Sequence, residues 1–112
     1  MKRKIIFYKS YFLDFYLGVH SKDQEKIEFV LDMVQNISRV PGRFLKHLEG
    51  TDGLHEIRVK SRDNAFRIFC FFDSGKCVIL LQGFMKKSMK TPIKEIRLAE
   101  KLMKEYFLTK GT

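Results

Sequence analysis

Long apolar runs are missing from this sequence. Its longest uncharged apolar stretch, over residues 77–84, is broken by Gln82 and Gly83 and is far too short to cross a bilayer. The basic residues at positions 2–4 lead into only a few apolar positions, which is not the pattern of a secretory signal. We therefore expect neither a signal peptide nor a membrane span.

Cysteine is also scarce. Cys70 and Cys77 are the only two, and they show no Cys-x-x-Cys spacing. The strand pairing derived below does not place them opposite each other. A reduced, cytoplasmic protein is therefore the simpler interpretation.

Motifs for metal or nucleophilic chemistry are absent from the sequence. The three histidines have no metal-ligand spacing, and the carboxylates are scattered rather than paired. The sequence has no phosphate-binding glycine loop, no nucleophile elbow and no recognisable Cys-His pair. We predict no metal and no cofactor, which leaves arginine, lysine and at most one histidine for any chemistry.

Positive charge, by contrast, is abundant. Lysine and arginine number 22 against 13 acidic residues, giving a formal charge of +9 over 112 residues. Such a surface attracts polyanions, so nucleic acid is the leading partner class. The alternatives are a basic protein without such a partner, or one neutralised by an acidic protein. The length and the 45% hydrophobic content predict a single domain over residues 1–112.

The N-terminal half predicts one strand and two helices. Residues 4–9 are β-branched and aromatic between charges, which is typical of a short strand. Apolar spacing over residues 10–17 predicts a two-turn helix that ends at Gly18. A capping box formed by Ser21 and Gln24 predicts the start of a long helix, whose apolar stripe ends at Pro41-Gly42.

The C-terminal half predicts a β-meander followed by a helix. The hydrophobic period changes to two over residues 54–60, 65–72 and 77–84, and turn-forming residues separate the three segments. Thr91 and Pro92 then suit the N-cap and first position of a closing helix. The predicted fold class is α+β, with a small antiparallel sheet, two N-terminal helices and one C-terminal helix.

Hairpin geometry predicts which residues face each other. A turn about Arg62-Asp63 places Arg58 opposite Arg67 and Lys60 opposite Ala65. A second turn, about Ser74-Gly75, pairs Arg67 with Gln82, Phe69 with Leu80 and Cys70 with Ile79. The side chains of Arg58, Lys60, Arg67 and Gln82 would then share one face of the sheet.

Two arginines directly opposite each other destabilise a sheet by up to about 1 kcal/mol. We therefore expect an anion at Arg58 and Arg67. Two alternatives remain: Glu56, two residues before Arg58 on the same face, neutralises the pair, or the register slips by one residue.

A basic connector follows the last strand. Residues 83–92 read Gly-Phe-Met-Lys-Lys-Ser-Met-Lys-Thr-Pro and lead into a helix N-terminus, which has a partial positive charge. This connector could bind phosphate at the edge of the same sheet, or it could simply be solvated. Its position beside the two arginines favours phosphate binding.

Three segments together resemble a known family. They are Gly-Leu-His-Glu-Ile-Arg at 53–58, Phe-Arg-Ile-Phe at 66–69, and the connector at 83–92. In this combination they resemble the phage-derived, HigB-like branch of the RelE/ParE toxin superfamily, over roughly residues 5–107. The resemblance implies a RelE-like fold and the toxin of a type II toxin–antitoxin system. It also implies metal-independent endoribonuclease cleavage of mRNA on the ribosome.

The resemblance also implies partners and site residues. A cognate antitoxin of the helix-turn-helix type is expected, with operator DNA contacted only through that antitoxin. Arg58 matches a basic strand residue of the active face, Arg67 the phosphate-binding arginine, and Lys86 the basic residue after the last strand. The full set of expected catalytic residues is Arg58, Lys60, Arg67 and Lys86, and the expected RNA-binding residues are Gln82, Lys87 and Lys90.

The sequence departs from better-studied relatives at two positions. His55 and Glu56 stand where some relatives have an aromatic residue and a lysine, and no tyrosine lies between Tyr16 and Tyr106. Alternation predicts that His55 points away from Arg58 as a packing residue. Crowding by the two arginines would lower the pKa of Lys60, and Lys60 or Lys86 is the candidate base. The rival functions are non-catalytic nucleic-acid binding and ParE-like inhibition of gyrase.

Overall fold

The computed structural model describes residues 2–110, and these form a five-stranded sheet with three helices. The elements in chain order are β1 (Lys4–Phe7), α1 (Tyr11–Leu17), α2 (Ser21–Asn36), β2 (Leu45–His47), β3 (His55–Lys60), β4 (Ala65–Asp73), β5 (Cys77–Met85) and α3 (Ile93–Lys110). The α+β class is confirmed, as are the two N-terminal helices and the C-terminal helix. Among residues 2–110, no helix is long and apolar enough to cross a membrane.

The sheet has the strand order β1-β5-β4-β3-β2 and is mixed rather than wholly antiparallel. β1 lies parallel to β5, whereas the other neighbouring strands run antiparallel. The parallel pairing was not predicted, because it joins two segments that are far apart in the sequence and leaves no local pattern. The edge strand β2 was also missed, since three residues are too few to show a period of two.

Each face of the sheet is covered by helices. The α1/α2 face is built around a fully apolar cluster that includes Phe12, Ile27, Val30, Ile57 and Ile68. On the opposite face, α3 packs over one half of the sheet through a second cluster that includes Phe69, Phe71, Ile79, Leu81 and Leu102. The other half of this α3 face is not covered by that apolar cluster.

Two helix starts differ from their predictions. The N-cap of α2 is His20, whose Nδ1 accepts from the backbone N–H of Lys22 at 3.2 Å. Gln24 donates its side-chain amide to the Tyr16 carbonyl instead of returning to Ser21, so the predicted capping box is wrong. α3 begins at Ile93. The hydroxyl of Thr91 donates a hydrogen bond to the carboxylate of Glu56 in β3 and does not cap the helix.

The first hairpin has the predicted register, with Arg58 opposite Arg67 and Lys60 opposite Ala65. The second does not. Asp73 faces Cys77 across a three-residue turn in which Gly75 and Lys76 adopt φ angles of 71° and 61°. The predicted two-residue turn at Ser74-Gly75 is therefore wrong, and Phe84 rather than Gln82 lies opposite Arg67.

A β-bulge shifts the pairing further within β5. Leu80 faces Cys70 and Gly83 faces Ile68, so two residues of β5 lie opposite Phe69 alone. The glycine has a packing reason, because a Cβ at Gly83 would lie 2.6 Å from Cδ2 of Phe15. The register corrections leave Cys70 facing Leu80 instead of Ile79, and both cysteines are free, as expected.

Candidate active site

The half of the α3 face that lies outside the apolar cluster under α3 has a cluster of charged side chains. Glu56 and Arg58 alternate along β3, Arg67 faces Arg58 from β4, and Lys86 directly follows β5. The backbone N–H of Lys86 donates to the Ala65 carbonyl at 2.7 Å, which continues the ladder by one residue. Strand alternation therefore brings residues from three consecutive strands to one place, and we call Glu56, Arg58, Arg67 and Lys86 the charged cluster.

Glu56 lies at the centre of the charged cluster and is only 1% exposed. Its Oε1 accepts from Nε and Nη2 of Arg58, both at 3.4 Å, and lies 3.7 Å from Nε of Arg67. Its Oε2 accepts from the hydroxyl of Thr91 at 2.5 Å. One buried carboxylate thus joins both arginines and fixes the end of the connector, so the alternative in which Glu56 neutralises the arginine pair is partly realised.

Arg67 is the more enclosed of the two arginines. Its side chain is 13% exposed against 30% for Arg58. Nη1 of Arg67 donates to the Phe66 carbonyl at 3.1 Å, whereas Nε is buried and makes no hydrogen bond. Burial lowers the pKa of Arg67, the charge of Arg58 lowers it further, and Glu56 opposes both effects. A guanidinium that remains charged with an unsatisfied buried donor is suited to an anionic ligand.

Lys86 is half-buried beside these groups. Partial burial lowers its pKa, the charges of Arg67 and Arg58 lower it further, and Glu56 raises it. A lysine with a lowered pKa is a better proton acceptor near neutral pH than an ordinary surface lysine. The prediction named Lys60 for this effect, whereas the structure shows a lowered pKa at Lys86, with burial as the largest cause.

The remaining predicted residues lie around this cluster. Lys60 is exposed at the end of β3, and Lys87 and Lys90 are exposed on the connector. Gln82 is buried beneath α3, where its amide donates to the Glu95 carbonyl at 2.9 Å. Because this contact turns Gln82 toward the helix, its predicted place beside Arg67 on an open, RNA-binding surface is corrected.

His55 lies on the other face, as alternation predicted. Its ring packs edge-on against His47 and Phe72, with centroid distances of 5.2 and 4.9 Å, and Nδ1 lies 2.9 Å from the Gly53 carbonyl. Burial lowers the pKa of His55 and so favours the neutral ring. His55 is a packing residue outside the charged cluster.

A groove opens beside the charged cluster toward α2. It encloses about 410 Å³, and its lining includes Arg58, Lys60 and Arg67 together with Lys26 of α2 and Arg43 from the segment before β2. The groove passes the C-terminal end of β3. This end is open because β2 pairs only with the first three residues of that strand.

Within residues 2–110, no group of three or more histidine, cysteine, aspartate or glutamate side chains could bind a metal ion.

Sequence reasoning missed the structural importance of Glu56 and Thr91. The spacing of Glu56 and Arg58 along one strand was a usable signal, and it gave the neutralisation alternative. No local pattern indicated Thr91, because Thr-Pro before a helix is typical of a cap. Its contact with Glu56 spans 35 positions of sequence and depends on the full sheet.

The fold is similar to that of a chain in the crystal structure of the archaeal RelE–RelB complex from Pyrococcus horikoshii OT3. The TM-score is 0.57, and the match covers 81% of this chain and 100% of that chain at 18% sequence identity. At this identity the likeness establishes the RelE-like fold. No curated protein sequence matches this chain significantly.

The sequence also matches a protein-family model. Residues 15–104 match the family described as phage-derived protein Gp49-like (DUF891), so the match includes the whole charged cluster and the connector. The segments that resembled the phage-derived branch lie within this range. This chain therefore belongs to the phage-derived Gp49-like family, and it has a RelE-like fold.

Proposed function

We propose that this protein is the toxin of a type II toxin–antitoxin system of the HigB-like type, and that it is a metal-independent endoribonuclease that cleaves mRNA on the ribosome. The single observation that supports this most is the charged cluster itself. Three cationic side chains meet around one buried carboxylate, and one of them, Lys86, has a lowered pKa. Family membership and the RelE-like fold support the toxin assignment.

The chemistry requires three functions. The 2′-hydroxyl must lose a proton as its oxygen bonds to phosphorus, the pentacoordinate phosphate must be neutralised, and the departing 5′-oxygen must gain a proton. Arg67 and Arg58 suit the second function, because a guanidinium is always charged and forks onto two phosphate oxygens. We assign proton abstraction to Lys86 and protonation of the leaving oxygen to Lys60.

Glu56 serves as a positioning residue in this proposal. With only 1% of its surface exposed, it cannot reach a substrate hydroxyl, but it orients the arginines and lies at the end of the connector that includes Lys86. The cluster keeps a formal excess of two positive charges, which matches a doubly charged pentacoordinate phosphate. Lys87 and Lys90, exposed on the connector, would bind flanking phosphates.

The openness of this site supports the proposed dependence on the ribosome. Lys60, Lys87 and Lys90 are exposed, and the groove that Arg58 and Arg67 line is open to solvent, so it does not by itself align the 2′-hydroxyl, phosphorus and 5′-oxygen. Alignment supplied by a second body can be worth many orders of magnitude in rate. We propose the ribosomal mRNA channel as that body. We also propose a helix-turn-helix antitoxin as partner, through which alone the toxin would contact operator DNA.

The test is expression with and without the antitoxin encoded beside this gene. Expression of the chain alone should arrest growth, and co-expression of the antitoxin should relieve the arrest. Purified protein should cut mRNA in a translation reaction, with cleavage sites mapped by primer extension. Normal growth at confirmed soluble expression would refute the toxin proposal.

Two other outcomes would replace the proposed nuclease function with one of the rival functions. Salt-sensitive RNA binding without cleavage, even on translating ribosomes, would indicate a non-catalytic nucleic-acid-binding protein. Growth arrest with intact mRNA and accumulation of gyrase-linked DNA breaks would indicate ParE-like inhibition of gyrase.

A further inference from the structure

The groove beside the charged cluster contains cations that the proposed chemistry does not use. Lys26 extends from α2 and Arg43 from the segment before β2, and both side chains are exposed. Together with Arg58, Lys60 and Arg67 they make five cationic side chains around about 410 Å³. No carboxylate lies among the described residues that line the groove, although the chain as a whole has 13 acidic residues.

A concentration of like charge of this kind is unfavourable without a counterion. Glu56 is the carboxylate paired with Arg58 and Arg67, and it lies within the charged cluster rather than in the groove lining. An extended polyanion that enters the groove would be bound by Lys26 and Arg43 while its neighbouring phosphate rests on Arg67. The groove and the charged cluster are continuous, because Arg58 and Arg67 belong to both.

The groove also contains an aromatic side chain. The guanidinium carbon of Arg43 lies 4.8 Å from the ring centroid of Phe44, and both residues line the groove. Planar guanidinium and aromatic groups are the surfaces on which unpaired bases stack. Phosphate-binding cations interleaved with a stacking surface are typical of grooves for single-stranded nucleic acid.

Beyond Lys60 the cations are mixed with carboxylates. A neighbouring depression shares Lys26 and Lys60 with the groove and adds Lys22 and Arg62, but its lining also contains Asp23 and Asp63. Asp23 accepts a hydrogen bond from the side chain of Asn64 at 2.9 Å, which fixes the carboxylate there. A phosphate chain would therefore meet only cations among the charged groups inside the first groove, whereas past its end it would also meet carboxylates.

We propose that this groove binds the nucleotides next to the scissile one, with Lys26 and Arg43 on their phosphates and the Arg43–Phe44 pair against a base. The ligand is single-stranded RNA several nucleotides long. Its identity as RNA rests on the proposed function, whereas the binding of a phosphate chain rests on the groove itself.

The experiment measures binding separately from cleavage. The full chain is titrated against a fluorescent single-stranded 2′-O-methyl RNA of about 12 nucleotides, within the usual range of site sizes, at several salt concentrations. The 2′-O-methyl group removes the nucleophile, so the RNA stays intact. The test variant is Lys26→Ala with Arg43→Ala. The matched control is Lys101→Ala with Lys104→Ala, which removes the same charge from a separate depression on α3.

Each phosphate contact on a single strand contributes about 0.7 to the slope of log K against log salt. Loss of two contacts should lower the slope by about 1.4 and weaken binding about 25-fold at 0.1 M salt relative to a 1 M reference. The control should stay close to wild type. All the altered side chains are exposed, so thermal unfolding should confirm that both variants fold.

Equal affinity and equal slope in the test variant and the control would overturn the groove proposal. Unchanged RNA binding with lost affinity for the antitoxin would also overturn it, since the groove would then be a protein-docking surface. Neither result bears on cleavage. If wild-type protein binds this RNA through Lys26 and Arg43 but never cuts mRNA, the groove proposal stands and the proposed nuclease function fails.

Discussion

The two halves of the α3 face are built by the same strands and have opposite chemistry. In one half, Phe69, Phe71 and Leu81 are buried under α3 with at most 2% exposure. In the other, Arg58 faces Arg67 around the buried Glu56. Alternation along β4 runs without interruption from one half to the other, so the difference lies in the residues and in where α3 lies. One half provides stability, and the other half contains the groups to which the proposed function assigns the chemistry.

The charged half is unfavourable for the fold. Opposed arginines cost up to about 1 kcal/mol, and a buried carboxylate is tolerated only when it is paired and hydrogen-bonded. Glu56 meets this condition through Arg58, Arg67 and Thr91. An apolar residue at each position would have been simpler for folding, so stability alone does not explain the arrangement.

Breaking the apolar half should have the largest effect on stability. Phe71 is 2% exposed and packs against the rings of Tyr106 and Phe107, with centroids 5.1 and 5.2 Å away. Phe71→Ala should lower the free energy of unfolding by about 3–5 kcal/mol, as measured by urea denaturation. The folded fraction should keep wild-type activity per molecule. A loss below 1 kcal/mol would show that α3 contributes little to the core.

Substitutions in the charged half should lower the rate of mRNA cleavage rather than the free energy of unfolding. Arg67→Ala should reduce mRNA cleavage and toxicity by about 10²–10³, roughly 3–4 kcal/mol in the barrier, because it removes a preorganised charge at the reacting centre. Its unfolding free energy and its affinity for the antitoxin should change little. Arg67→Lys should restore only part of the rate, since an ammonium cannot fork across two oxygens. Arg58→Ala and Lys86→Ala should be weaker versions of this phenotype.

The control for these variants is Lys104→Ala on the exposed side of α3, which should behave as wild type. Cleavage of translating mRNA by Arg67→Ala at the wild-type rate would remove the charged cluster from the mechanism.

Glu56→Gln tests the charged half through a smaller effect than that of Arg67→Ala, a shift in the pH dependence of the cleavage rate. Lys86 accepts a proton only when neutral, so the rate should rise with pH through its pKa. Around Lys86, Arg58 and Arg67 lower that pKa and Glu56 raises it. Removing the Glu56 charge should therefore move the rising limb of the pH–rate profile to lower pH. Thr91→Val removes only the hydrogen bond to Glu56 and keeps its charge, so it should shift the profile less.

A uniform loss of rate for Glu56→Gln at every pH would mean that Glu56 acts only on structure. A shift to higher pH would exclude Lys86 as the base.

The smallest expected effect is that of a chelator. The described residues offer no cluster of metal-binding side chains, and the site is cationic. Cleavage by protein in reducing buffer should be the same with and without EDTA. Loss of cleavage that magnesium or zinc restores would require a different mechanism.

The sequence predicted those parts of the fold that local patterns specify. The order of helices and long strands followed from periodicity, and the facing of Arg58 and Arg67 followed from a short turn between two alternating strands. The parallel β1–β5 pair, the edge strand β2 and the bulge in β5 were missed, because each depends on contacts between distant segments. At the site, the arginines and Lys86 were predicted, whereas the contact of Thr91 with Glu56 was not.

The bulge in β5 determines which residue of that strand can be deleted without disturbing its pairing with β4. Leu81 and Gln82 together face Phe69, so deleting Gln82 would leave a regular strand with Gly83 still opposite Ile68 and Phe84 still opposite Arg67. Deleting Gly83 would instead bring Gln82 to a position where a Cβ meets the ring of Phe15 at 2.6 Å. Two adjacent single-codon deletions should therefore differ sharply, with the reading frame preserved in both and the native fold retained only in the first.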